Sequence, residues 1–235
     1  MNSFSVIYRP TALFSLKESS ATNSGAKSLF IPSPYAIKMA ILNQAITLDG
    51  IDFEGKKNQY FQFVRDAKIS FRIKGDFCVN NCFVKILKKK EDKRGKKAKE
   101  EGQLFIPGFQ ETISFREYIF LNGDLEIIFE VEEEEAKIFI TKYLHKINYF
   151  GKRGCFFQFL EYSDSPNKSN ISTFSKDKLR AGILQEYDDF DNKFEFDNVN
   201  SYSKARVNRK KEVFLLPLER VNSSKSYTHF QVSKS

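Results

Sequence analysis

Tryptophan is absent from this chain, histidine occurs only twice, and no apolar run reaches the length of a membrane-spanning helix. With His145 and His229 as its only histidines, the chain has few of the side chains most often used in general acid–base catalysis. Cysteine is nearly as scarce. Cys78, Cys82 and Cys155 are an odd set that cannot all pair, and the polar start of the chain offers no secretory segment, so the expectation is a reducing, cytoplasmic protein. Cys78 and Cys82 have no second Cys/His pair at zinc-ligand spacing, so they are expected in strands or core, and neither metal nor cofactor is called for.

What is present is phenylalanine and lysine. The 25 Phe among 235 residues predict a Phe-dominated core in a chain long enough to bury one. The abundance of Lys, Asn, Phe and Ile also fits an AT-rich genome, so the Phe count is no functional sign. Basic side chains number 38 against 30 acids, a net of +8. Residues 88–99, KKKEDKRGKKAK, hold eight Lys or Arg against two acids and so supply +6 of that net. The basicity is a local device on a nearly neutral body. A cationic arm on a folded domain suits a polyanion, because each cation that meets a phosphate releases a counterion. The plainer reading is a solubilising loop.

Around this segment the pattern alternates between strand and helix. Phe4–Leu16 predicts a first strand with Arg9-Pro10 at its bend or edge, and Glu18–Ser28 a loop. Ser33-Pro34 supplies a cap and a first-turn proline for a helix with Ile37, Ile41, Ala45 and Leu48 inward, stopped at Gly50. Strands follow at Tyr60–Val64, Lys68–Lys74 and Cys82–Leu87, and the chain returns from the lysine segment through Leu104–Phe109 and Thr112–Phe120. Asn122-Gly123 predicts a hairpin between Tyr118–Leu121 and Leu125–Val131. The run Glu132–Glu135 opens a second helix, with Ala136, Ile140, Tyr143, Leu144 and Ile147 inward. Its acids lie at the N-terminal end and Lys142 and Lys146 near the other, as the helix dipole favours. Cys155–Tyr162 is a further strand and Val213–Leu218 a last apolar one. The order approximates a split β-α-β-β-α-β, ferredoxin-like (RRM-like) antiparallel sheet with two helices, an α+β fold. Residues 1–162 would form that domain with an excursion at about 75–117, and 163–235 a small β-rich region.

Few short motifs carry chemistry. Gly151-Lys152-Arg153-Gly154 between helix and strand lets backbone approach a nucleic-acid strand while Lys152 and Arg153 reach phosphates; an ordinary helix-end glycine turn is the alternative. Tyr8 and Arg9, near Phe14, offer a stacking face and a guanidinium for single-stranded RNA, and Lys38 on the first helix faces solvent or nucleic acid. Tyr227, His229 and a lysine are residue types a metal-free ribonuclease uses, though no spacing requires it. Asp188, Asp189 and Asp191 could hold Mg²⁺, but an acidic, aromatic stretch is read as solvated or partner-facing surface.

Four segments stand out: Tyr8–Leu16 (YRPTALFSL), Phe30–Lys38 (FIPSPYAIK) leading into the first helix, Arg116–Leu121 (REYIFL), and Tyr149–Phe156 (YFGKRGCF). Together they resemble the Cas-five family of RAMP-superfamily subunits in CRISPR Cascade-type effector complexes. The resemblance spans most of residues 4–162. It implies a ferredoxin-like domain with a protruding thumb, here the excursion at 75–117, in an antiviral-defence ribonucleoprotein. It implies a non-catalytic subunit that binds the 5′ handle of the guide RNA, caps the backbone filament, and contacts the backbone subunit and the large subunit, without a membrane. The RNA-binding set would be Tyr8, Arg9, Lys38, Lys88, Lys89, Lys90, Lys93, Arg94, Lys96, Lys97, Gly151, Lys152, Arg153 and Gly154, with no catalytic residue. The lysine density of the thumb departs from the family pattern and leaves target DNA as a further partner. One subgroup of the family cleaves precursor guide RNA, so a metal-independent endoribonuclease is the alternative, and a protein-interaction module with a solubilising loop is the third.

Overall fold

The computed structural model describes residues 1–21, 25–89, 100–102, 108–175, 181–205 and 208–233. In β1 (Asn2–Pro10) alternation sets the layers: Phe4, Val6 and Tyr8 are wholly buried on one face, and the proline, lacking an N–H, closes the strand. Short strands β2 (Leu16–Lys17), β3 (Gly25–Ala26) and β4 (Ser28–Leu29) lead to the first helix. That helix, α1 (Pro34–Asp66), begins as expected, with Pro34 at its first position and the Ser33 hydroxyl accepting from the Ala36 N–H at 3.2 Å.

Gly50 does not end α1. At φ +46° it kinks the helix, a second departure follows at Lys56, and the chain continues helical to Asp66. Tyr60–Val64, expected as a strand, is therefore helix. Burial decides it: Phe53, Phe61 and Val64 are at most 2% exposed, and a broken helix that keeps them inside outweighs the local cost of the kink.

After α1 come β5 (Lys68–Ile73), β6 (Asp76–Lys89), β7 (Phe109–Asn122), β8 (Leu125–Val131), α2 (Glu134–Leu144) and β9 (Phe157–Ser163). In α2 the inward residues Ala136, Ile140, Tyr143 and Leu144 are those expected, joined by Phe139. Strands β5, β8, β1 and β9, in that spatial order, make a four-stranded antiparallel sheet. The Tyr8 hydroxyl donates to the Leu144 carbonyl at 2.6 Å, which places α2 on the face of Phe4, Val6 and Tyr8. Beside it lies α1, joined through the stacked rings of Tyr60 and Phe139 at 4.4 Å.

The expected hairpin at Asn122-Gly123 is absent. β7 pairs along its length with β6, from Asp76 opposite Asn122 to Lys89 opposite Phe109, whereas β8 pairs with β1 and β5. The turn passes the chain between two sheets.

The remaining elements are β10 (Ser172–Thr173), β11 (Ile183–Asp189), α3 (Phe196–Val199), β12 (Lys210–Leu216), β13 (Leu218–Ser223) and β14 (Tyr227–Val232). They form a three-stranded sheet β10-β12-β11 and complete a five-stranded sheet β13-β14-β6-β7-β3, in which β3 alone runs parallel to its neighbour. The protein is thus a mixed α+β fold built mainly from antiparallel sheets. Among the described residues no helix is long and apolar enough to cross a membrane.

Candidate nucleic-acid interface

β14 pairs with β6 only across Phe77–Asn80, so beyond that point β6 and β7 project as a two-stranded ribbon, touched at its base by β3. Period-two alternation puts Phe83, Lys85, Leu87 and Lys89 on one face, opposite Phe115, Ile113, Glu111 and Phe109. Phe83 and Phe109 are 77% and 72% exposed, and the Phe83 and Phe115 rings meet edge to face at 5.6 Å. Lys88 and Lys89 are exposed at the far end. Of the expected cationic set, Lys90, Lys93, Arg94, Lys96 and Lys97 lie outside the described residues.

The glycine loop is a tight turn. Tyr149 and Phe156 form a β-bridge at its base, Phe150 N–H donates to the Cys155 carbonyl at 3.2 Å, and Cys155 N–H to the Lys152 carbonyl at 3.2 Å. Gly151 and Gly154 take φ of +71° and +101°, conformations that other residues rarely adopt, which is why glycine stands at both. Phe150 and Cys155 are buried beneath the turn; burial pushes the Cys155 thiol pKa up, and its sulfur lies 3.4 Å from the Ser15 carbonyl. Lys152 and Arg153 are exposed above.

Between this loop and the start of α1 opens a cleft of about 490 Å³, lined by Gly151 and Lys152, by the segment around Leu16 and Lys17, and by Tyr35, Ala40 and Asn43 of α1. Arg209 enters from the C-terminal part of the chain. Its guanidinium lies 3.8 Å from the centroid of the Tyr35 ring, and its Nη1 donates to Asp188 at 2.9 Å. Asp188, 7% exposed, also accepts from the Ser19 hydroxyl at 2.9 Å. The cleft thus gathers cations, an aromatic ring and side-chain amides, the groups that bind nucleotides.

No protein-family model matches the chain. Over 200 residues, 82% of this chain and 81% of the other, it is 26% identical to the CRISPR-associated protein Cas5 of Archaeoglobus fulgidus. The resemblance to Cas5 holds. A crystal structure of a CRISPR protein from Archaeoglobus fulgidus aligns with 100% of this chain and 93% of that one, at a TM-score of 0.44 and 12% identity, too loose a superposition to bear on the fold.

Two residues expected at the RNA face of this Cas5-like chain belong to its interior. Tyr8 is fully buried, its ring edge-on to Phe150 at 5.1 Å and Phe159 at 5.9 Å, and burial raises its pKa; it has no free face for a base. Lys38 is 2% exposed and its ammonium contacts Asp189 at 2.8 Å and the Arg65 carbonyl at 2.9 Å. Arg9 stays at the surface, bonded twice to Asp124 at 2.7 and 3.2 Å, which raises its pKa.

Within the acidic stretch, expected as solvated or partner-facing surface, Asp188 and Asp189 are paired inside the chain with Arg209 and Lys38. The histidines are apart from the cleft. His145 caps the end of α2, and His229 Nε2 lies 3.1 Å from Asp76. Tyr35 and Arg209 are what sequence reading misses: in the sequence Arg209 is one of several cations in Arg206–Lys211 (RVNRKK), and Tyr35 only follows the Ser33-Pro34 cap.

Proposed function

We propose that this Cas5-like chain is a non-catalytic subunit of a Cascade-type CRISPR interference complex in the cytoplasm. It holds the 5′ handle of the guide RNA and caps the backbone filament, contacting the backbone subunit and the large subunit. The observation that carries the reading is the ribbon of β6 and β7, which bears exposed Phe83 and Phe109 beside Lys85, Lys88 and Lys89 and leads directly into the lysine-rich segment. Aromatic faces with interleaved cations are what a single strand needs for stacking and phosphate contact. Arg9, Gly151, Lys152, Arg153 and Gly154 extend that RNA-binding set, as do Lys90, Lys93, Arg94, Lys96 and Lys97 by sequence.

The order β5-β8-β1-β9, with α1 after β1 and α2 after β8, supports reading residues 1–162 as a ferredoxin-like RAMP domain, with 75–117 as its thumb. Residues 163–235 are then a β-rich region whose β14 is shared with the thumb's sheet.

Titration of repeat-derived RNA at several salt concentrations tests this. Replacing Lys88, Lys89, Lys90, Lys96 and Lys97 by alanine should weaken binding and flatten the salt slope by about 0.7 for each phosphate no longer neutralised. An unchanged slope overturns the role of the arm. The second reading, a metal-independent endoribonuclease, draws on the His229–Asp76 contact with Tyr227 two residues away on the same strand. It requires repeat-RNA cleavage in EDTA that His229→Ala abolishes; intact RNA removes it.

A further inference from the structure

We infer that the cleft between the glycine loop and α1 holds one nucleotide drawn out of its strand, with its base stacked at the Tyr35–Arg209 pair. The inference rests on the RNA-binding reading above and adds a specific site to it.

The cleft volume of about 490 Å³ falls within the roughly 300–1,000 Å³ of small-ligand sites. Its stacking element is pre-formed. One face of the Arg209 guanidinium covers Tyr35 at 3.8 Å, the side chain is still 44% exposed, and Asp188 holds the plane by an ion pair of 2.9 Å. A flat cation so fixed accepts a base on its remaining face with little further ordering.

Charge in the wall favours a phosphate. The two carboxylates that line the cleft are already paired, Asp188 with Arg209 and Glu186 with Lys211 at 2.6 Å. Lys152 makes no ion pair among the described residues, so its charge remains available to a ligand. Asn43 and Gln44, also in the wall, carry donors and acceptors for a base edge.

The test uses the full chain and repeat-derived RNA with 4-thiouridine placed at successive handle positions. One position should photo-cross-link to a peptide containing Tyr35. Ala40→Trp, which fills the cleft and leaves its polar groups in place, should abolish that cross-link and weaken RNA binding about tenfold, the worth of one stacked base, with the salt slope kept. Arg209→Lys, which keeps the charge at a partly exposed position but removes the flat stacking face, should act in the same direction and guards against a misfolded tryptophan variant.

Wild-type RNA binding with no cleft cross-link, and with both variants binding as wild type, overturns the inference while the RNA-binding reading stands. Failure of wild type to bind RNA sinks that reading instead. Calorimetry with AMP, GMP, CMP and UMP separates the sources: a mononucleotide bound by wild type and lost in Ala40→Trp, without any RNA cross-link, overturns a strand-borne nucleotide and assigns the cleft to a free one.

Discussion

Lys38 and Asp189 meet at 2.8 Å, with the lysine side chain 3% exposed, and join α1 to the end of β11. Burial pulls the lysine pKa down and pushes the aspartate pKa up, while their mutual attraction opposes both. The lysine also donates to the Arg65 carbonyl at 2.9 Å, so it ties the two ends of the kinked helix together.

Removing one partner leaves a buried charge alone. Lys38→Ala should cost about 3–5 kcal/mol, whereas Lys38→Met combined with Asp189→Leu should cost much less than either single change. Urea denaturation measures this. If Lys38→Ala leaves the midpoint unchanged but weakens RNA binding, the lysine is an RNA contact after all.

Gly75 and Gly123 stand against each other where the chain changes sheets. A Cβ on Gly75 would lie 1.9 Å from the Asn122 carbonyl oxygen, and one on Gly123 would lie 1.9 Å from the Lys74 carbonyl oxygen. Both obstacles are backbone and cannot swing aside. Gly75→Ala and Gly123→Ala should each destabilise by more than about 1 kcal/mol. Gly55→Ala is the control: it lies in α1 with nothing within 4 Å of its Cβ position, and it should be neutral or stabilising by up to about 1 kcal/mol. Equal effects at the three glycines in thermal melts would contradict this account of the crossover.

Asn170 stands in for a neighbouring strand at the outer edge of β5. Its side-chain oxygen accepts from Ile73 N–H at 3.0 Å and its side-chain nitrogen donates to the Ile73 carbonyl at 2.9 Å. A side-chain amide has the same donor and acceptor as a peptide group, so it satisfies an edge position without a further strand. Asn170→Ala strips both partners and should cost about 1–3 kcal/mol. Faster amide exchange confined to Ile73 and its neighbours is the expected signature; unchanged exchange there would show that the edge is satisfied by something else.

How much of the fold was legible varies by element, for physical reasons. The order strand, helix, strands, helix, strand could be read because each periodic segment has its own caps: Ser33-Pro34 before α1, the acidic run before α2. Phe61 and Val64 misled because a short apolar run looks alike in helix and strand. The fate of Lys38 was within reach. It lies four residues after Pro34, three before Ile41 and seven before Ala45, all buried, so helical spacing alone puts it on the apolar face. Tyr8 likewise shares the parity of Phe4 and Val6. No local rule reveals that Asp189 neutralises Lys38, or that Arg209 stacks on Tyr35, since these pairs are made by the tertiary fold.

Asp49, just before the kink at Gly50, supplies the pH dependence. Its carboxylate accepts from Lys142 Nζ at 2.7 Å and from the Tyr143 hydroxyl, and these bonds hold its pKa below the ordinary carboxylate value of 3.8. Burial, and then the hydrogen bond to Asp49, push Tyr143 up to about 12. A carboxylate whose folded pKa is depressed contributes stability that is present above its unfolded value and lost as pH falls through the folded one. A tyrosine raised on folding contributes below about pH 10 and loses that contribution as pH rises toward 12. Asp49→Asn should therefore lower stability at neutral pH and flatten the acid limb below about pH 4, so that the two curves converge as acid protonates the wild-type carboxylate. Denaturant-derived stabilities of both proteins across that range decide the matter. A constant offset down to about pH 2 would mean that Asp49 stabilises through packing at the kink rather than through its charge.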